Sequence, residues 1–380
     1  MDSLQRFDKI YKYLLVMAPI MGVDFFKHSN LNWRIILCIS VIMMGSISVL
    51  YTLYIVRDDF VIQLKCLCAA MQAIQGSTKL YCTLKYKKGT ERLLTSVRNA
   101  FKFNRNSGPS RKKIMDKCAT RYTSFAKYAL FICLIIILII GAYPLYSFVQ
   151  LKKIELFFEI HLIGFPMSDG TAKTYTYNYL AQLLEIFYAY QGNILYDAVL
   201  CTIVFGVYVS VELQHAAFQE TLKFIRKDQL LYKTQLKNCM VLNQSINSYI
   251  LELNRIFSSV VFVQIGTGSG TLALGLFCIV TTDWLGAYGF AMFGFLQIIE
   301  YCFIGTFLEI SSERLANMIY AYPWYLTSCG NRRMILIALI KSQQPTKLTI
   351  GGMAHLNIQS GTAIIKTIYS YLMMLLNFTT

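Results

Sequence analysis

Long apolar runs, broken by shorter polar stretches, dominate the chain. Seven of them are long enough for a helix that crosses a bilayer, which needs roughly 20 mostly apolar residues. They cover 33–56, 60–84, 124–148, 183–209, 257–281, 285–310 and 349–376. The second, with Lys65 and Lys79, and the fourth, with Glu185 and Asp197, are the weakest. The run 156–166 is too short to span and reads as part of a structured loop. Between the fourth and fifth runs, 210–256 mixes apolar Leu222, Ile225, Leu230, Leu236, Val241, Ile246 and Ile250 with many polar residues. This pattern predicts that both flanking helices continue past the membrane as amphipathic rods. The basic stretch Arg98–Lys113, with Gly108-Pro109, reads as a flexible loop. Met334–Ile340 is helix-like and apolar, but Arg332-Arg333 and Lys341 close it off well short of a span. It is expected to stay outside the bilayer and to seek a protein partner.

Composition agrees with the pattern. Of 380 residues, 56% are hydrophobic and 15% charged, and mean hydropathy is +0.47. A soluble domain cannot hide that much apolar surface, so the class is integral membrane and all-α. The net charge of +16 would suit nucleic acid, but its placement does not. Alternate inter-span segments (1–32, 85–121, 210–256, 311–348) hold 27 Lys and Arg, against 4 in the others. The positive-inside rule then puts the N-terminus in the cytoplasm, and seven crossings put the C-terminus outside. The basic charge lies beside anionic lipid, so no nucleic-acid partner is expected. Asp2, Asp8 and Asp24 in a mixed polar start argue against a cleavable signal peptide. Most of the eleven cysteines lie in spans, so no structural disulfide is expected.

No catalytic constellation occurs: HExxH, GxSxG and Walker patterns are all missing, and no metal or cofactor is implied. "GTGSG" (Gly266–Gly270) lies in mid-span and reads as small residues that let helices pack closely. Lys65, Asp197 and Glu300 are ionisable residues inside spans and so are functional candidates. The structural alternative is that Lys65 snorkels while Asp197 and Glu300 hydrogen-bond between helices. In the last run His355, Gln359, Thr362, Lys366, Ser370 and Asn377 share one helical face. Such a stripe faces water or polar partners, or else packs within its own subunit. Several copies around a symmetry axis would enclose a pore, although Lys366 would repel a cation and would then have reason to turn sideways. Aromatic and sulfur residues in the outer halves of the second, third, fourth and sixth spans can form an apolar pocket for a small volatile or lipid-like molecule. They include Cys66, Met71, Tyr143, Tyr146, Phe187, Tyr188, Tyr288 and Met292, and Gly141 joins them as a candidate. Ordinary helix packing is the alternative for each.

The last quarter resembles the insect odorant receptor family. The matching residues are Tyr322-Pro323-Trp324-Tyr325, Arg332-Arg333, Gln344-Pro345, Leu348, Gly351, Leu356-Asn357, Lys366, Tyr369-Ser370-Tyr371 and Leu375-Leu376. Asp197 also fits; Gly361 departs, since the family often carries an aromatic there. The resemblance implies a tetrameric, odorant-gated, non-selective cation channel passing monovalent and divalent cations in the plasma membrane of olfactory sensory neurons. In it a tuning subunit binds a small hydrophobic odorant and assembles with the odorant receptor co-receptor. The chain is too short for the co-receptor's long cytoplasmic insertion, so it reads as a tuning subunit. The resemblance further implies an odorant-binding bundle over 33–209 and cytoplasmic anchor segments at 210–256 and 311–348. Spans 257–310 follow the first of these, and a pore helix within 349–380 the second. Anchor contacts fall at Trp324, Tyr325, Leu336 and Leu339, and the gate at Ser370, Met373, Met374 and Asn377, with Met374 standing where Val or Leu is usual. A gustatory channel of the same fold would end its last span in a Gln-Phe motif, which this chain lacks. A G-protein-coupled receptor would have the opposite orientation, with DRY-like and NPxxY motifs that are also missing.

Overall fold

A computed structural model describes residues 2–23, 33–56, 59–104, 108–128, 131, 160, 172–282, 284–343 and 347–379. In chain order the helices are α1 (Ser3–Ile20), α2 (Trp33–Ile55), α3 (Phe60–Lys85), α4 (Lys87–Phe103), α5 (109–128), α6 (Ala172–Leu222), α7 (Gln229–Thr281), α8 (Gly286–Tyr320), α9 (Cys329–Ser342) and α10 (Ile358–Thr379). A 3₁₀ turn at Trp324–Leu326 precedes α9, and a two-stranded hairpin, β1 (Thr349–Ile350) with β2 (Ala354–His355), precedes α10. Among the described residues α2, α6, α7 and α8 are long and apolar enough to cross a membrane. Polar side chains interrupt α3 and α10, and the predicted third span lies mostly outside the described residues.

The expected rods are present. α6 and α7 run 51 and 53 residues, about 75–80 Å at 1.5 Å per residue, far beyond a roughly 30 Å hydrocarbon core. Asp228 starts α7 by accepting from the Leu230 and Leu231 amides, 3.0 Å each. Buried Tyr232, Leu236, Cys239, Asn243, Ile246 and Ile250 then carry its core face through the polar stretch. The central helices approach closely through small residues. A Cβ on Gly294 of α8 would lie 2.8 Å from the Gly268 carbonyl of α7, and one on Gly275 would lie 2.8 Å from the Ala291 amide. Gly270 faces Met71 of α3, so two of the three glycines in GTGSG serve packing; nothing among the described residues lies near Gly266.

Two expectations need correction. Arg98–Lys113 is not a flexible loop where it is described. Arg98–Phe103 is the last part of α4, and helix resumes at Pro109. Leu93, Leu94, Val97 and Phe101 are buried at helical spacing, which orders the segment despite its charge. Pro109 opens α5, where its missing N–H costs nothing. The last membrane helix starts at Ile358, not at 349. Gly351 and Gly352 adopt φ of +61° and +81°, which side chains disfavour, and turn 349–355 into the hairpin. Its edge is held by α7: the Thr349 amide and hydroxyl donate to Asn254 Oδ1 at 2.9 and 3.0 Å, and the Gly351 amide to the Ser258 carbonyl at 3.1 Å.

Candidate functional site

Polar residues on one face of α3 form a buried column through the membrane bundle. Gln72, Gln75 and Lys79 are three and four residues apart, so they stack along the helix. Gln72 Nε2 donates to Thr271 Oγ1 of α7 at 3.2 Å, and Gln297 Nε2 of α8 to Gln75 Oε1 at 3.3 Å. Lys79 donates to both Asp197 oxygens of α6 at 2.8 and 2.9 Å, and the Tyr301 hydroxyl of α8 donates to Asp197 Oδ1 at 2.5 Å. The rings of Tyr196 and Tyr301 lie 5.7 and 5.6 Å from the Lys79 ammonium, within cation–π range. Lys79 is 2% exposed, so this partnering is what lets a charge sit in an apolar bundle. Asp197 therefore meets its expected interhelical role, through a lysine not singled out as its partner. Glu300, beside Tyr301, makes no hydrogen bond among the described residues, and Asp197 and Lys79 are the charged groups near it. Lys65 lies 5.6 Å from the Trp284 ring near the other end of α3.

A cavity of about 30 Å³ adjoins the column, lined among others by Lys79, Tyr188, Gly192, Tyr196, Ile256 and Phe257. That volume admits one or two waters and is far below the roughly 300–1,000 Å³ of small-molecule pockets. Of the six pocket candidates among the described residues, only Tyr188 lines it. Phe187 meets Tyr188 edge-on at 5.6 Å but is itself exposed. Cys66 is buried, Met71 packs on Gly270, and Tyr288 and Met292 are exposed. Gly141, Tyr143 and Tyr146 lie outside the described residues. The candidates are thus not gathered into one cavity among the described residues. Tyr190 and Phe293, not anticipated from the sequence, do meet across α6 and α8, at 5.8 Å.

The polar stripe of the last helix divides at the hairpin. His355 belongs to β2, while Gln359, Thr362, Lys366, Ser370 and Asn377 lie on α10 and are exposed. α10 packs through Gly361, Ile364, Ile368 and Leu372. A Cβ on Gly361 would sit 2.5 Å from Cys302 Sγ, so the residue here is small because α8 is in contact. At about 100° per residue, Gln359, Lys366, Ser370, Met374 and Asn377 lie on the opposite side. The stripe does not pack on the described residues of its own chain. Met373 and Met374 are exposed beside it.

Outside the predicted spans, α9 buries Asn331, Ile335, Ala338 and Ser342 and exposes Leu336, Ile337 and Ile340. Trp324 and Tyr325 of the 3₁₀ turn are exposed as well. Arg332 holds that turn by donating to the Thr327 and Tyr325 carbonyls, 3.0 Å each. Leu339 differs from Leu336: it packs partly on the core.

A family model described as "7tm Odorant receptor" matches residues 59–369. The chain is similar to a putative odorant receptor, 83c, of Drosophila melanogaster, at 26% identity over 136 residues, 36% of this chain and 34% of that protein. It is also similar to odorant receptor 63a of the same species, at 24% identity over 155 residues, 37% and 36% of the two chains. The alignments thus span about a third of the curated relatives' length. The fold is similar to that of the insect olfactory receptor OR5 from Machilis hrabei, with a TM-score of 0.83 at 16% identity and 99% of both chains covered. A structure of that receptor in complex with eugenol gives the same TM-score.

Proposed function

Because the chain belongs to the insect odorant receptor family, we propose that it is the odorant-binding subunit of a heteromeric, odorant-gated, non-selective cation channel assembled with the odorant receptor co-receptor. The observation that carries this reading is the face α10 turns away from its own subunit. Gln359, Lys366, Ser370 and Asn377 are exposed there, and hydrocarbon would penalise them. Water in a central pore, closed by copies around an axis, supplies what they need. The exposed apolar residues of α9 and the turn before it support the second part of the reading, a subunit contact beneath the channel.

In this reading the N-terminus is cytoplasmic and the C-terminus extracellular, in the plasma membrane of olfactory sensory neurons. A small hydrophobic odorant binds in the outer half of the bundle formed by α3, the third span, α6 and α8. It favours the open pore only by binding that state more tightly. Met374 forms the apolar gate, with Ser370 and Met373 beside it and Asn377 just beyond. Co-expression with a co-receptor and recording of currents evoked by a broad volatile panel is the test. Currents that need both chains are expected; surface-expressed complexes silent to the whole panel would overturn the reading.

A further inference from the structure

We propose that Lys366 sets the ratio in which the pore passes divalent and monovalent cations, lowering the divalent share in a channel that passes both. The proposal rests on the channel reading above and names a property of the same conduction path. Lys366 is exposed, and it has no hydrogen-bond or ion-pair partner among the described residues. It lies on the side of α10 opposite the Gly361, Ile364, Ile368 and Leu372 packing face, in line with Ser370 and Asn377. The eight residues from Lys366 to Met374 correspond to about 12 Å of helix, so the ammonium is two turns below the proposed gate. No carboxylate of the last segment offsets it, because 349–380 contains no Asp or Glu. On α8, Glu309 is already engaged by Lys347 and by Asn357 Nδ2, the latter at 3.3 Å.

An uncompensated positive charge facing a narrow aqueous path acts on permeant ions in proportion to their charge. If it lowers the local concentration of a monovalent cation by some factor, it lowers that of a divalent cation by the square of that factor. Each copy of this chain around the axis adds its own lysine, so the discrimination depends on how many copies the complex holds. Short polar groups on the same face, Ser370 and Asn377, leave monovalent ions a hydrated route.

The test is reversal-potential measurement on the complex with a co-receptor, in sodium and then in calcium. Lys366→Gln is expected to raise the calcium-to-sodium permeability ratio by about threefold or more, Lys366→Glu to raise it further, and Lys366→Arg to leave it in place. Lys366→Cys gives an independent reading should Lys366→Gln not conduct. A cationic methanethiosulfonate should return its ratio toward that of the unsubstituted channel, and an anionic one should drive it away. Normal odorant currents with an unchanged ratio in these variants overturn the proposal and place the lysine sideways, against a neighbouring helix. Absence of current in the unsubstituted complex counts instead against the channel reading itself.

Discussion

The Lys79–Asp197 pair gives the sharpest energetic prediction. At 2.8 Å two unit charges attract by about 6 kcal/mol at an effective dielectric constant of 20. Desolvation of two ions buried to 2% and 15% exposure takes back much of that. The intact pair is therefore close to neutral against an apolar pair of the same volume, while half a pair is expensive. Lys79→Met leaves the Asp197 carboxylate in the bundle with one donor, the Tyr301 hydroxyl, and costs about 3–5 kcal/mol. Asp197→Leu leaves the Lys79 ammonium with two aromatic rings and the nearby Glu300 carboxyl, and costs up to a similar amount. The double variant Lys79→Met/Asp197→Leu should recover most of the loss, giving a coupling of at least about 3 kcal/mol. Thermal challenge of detergent-solubilised protein, followed by size-exclusion chromatography, reads this as an apparent Tm. Each single variant should fall by several degrees and the double variant should return toward the unsubstituted value. Tyr301→Phe, which removes a hydrogen bond to a charged group, should cost about 1.5–3 kcal/mol. Single losses that simply add in the double variant would refute the pairing.

Three further outcomes follow from the same geometry. Gly361→Phe should push α10 off Cys302 at a cost of about 1–3 kcal/mol or more, seen as lower surface expression, whereas an unchanged yield would mean the helices are not in contact. Leu336→Ser should break subunit assembly, read by co-purification with the co-receptor, while leaving the fold of the chain intact; Leu339→Ser should lower the stability of the chain as well, because Leu339 packs partly on the core. Cys329 is the exposed free thiol among the described residues, and burial pushes the Cys118 thiol up to about 12 and keeps it unreactive. A membrane-impermeant maleimide should therefore label Cys329 only after cells are permeabilised, and labelling of intact cells would reverse the proposed orientation.

Local pattern made much of this molecule legible. The interleaved apolar residues of 210–256 showed that α6 and α7 continue past the membrane, and the charges around Met334–Ile340 showed that α9 is not a span. Where composition and periodicity disagree, periodicity decides. Arg98–Lys113 is basic enough to look unstructured, yet Leu93, Leu94, Val97 and Phe101 already mark a helical face that runs into it. Gly351-Gly352 likewise signals a turn inside what hydropathy reads as one apolar run. The Lys79–Asp197 partnership is of another kind, because 118 residues separate the two. Only the face Gln72, Gln75, Lys79 on α3 hinted that this lysine looks inward to a polar partner. Residue type and depth mark a pocket candidate in the sequence, and neither property determines which side of a helix meets a common cavity.

Two lysines on the apolar helices contrast a charge held inside the bundle with one left outside it. Lys79 has lost its water, and the bundle replaces that water with a carboxylate, two aromatic faces and, through Tyr301, a link to α8. A positive charge held this way ties α3, α6 and α8 together and is useless to an ion. Lys366 has no such partner among the described residues: the segment that carries it holds no acid, and its side of α10 is exposed. A lysine in that position is tolerable in a membrane only if water reaches it. The same argument that explains why Lys79 is paired supports the proposed aqueous path beside Lys366, and in that proposal a path lined by the charge favours the less charged cation.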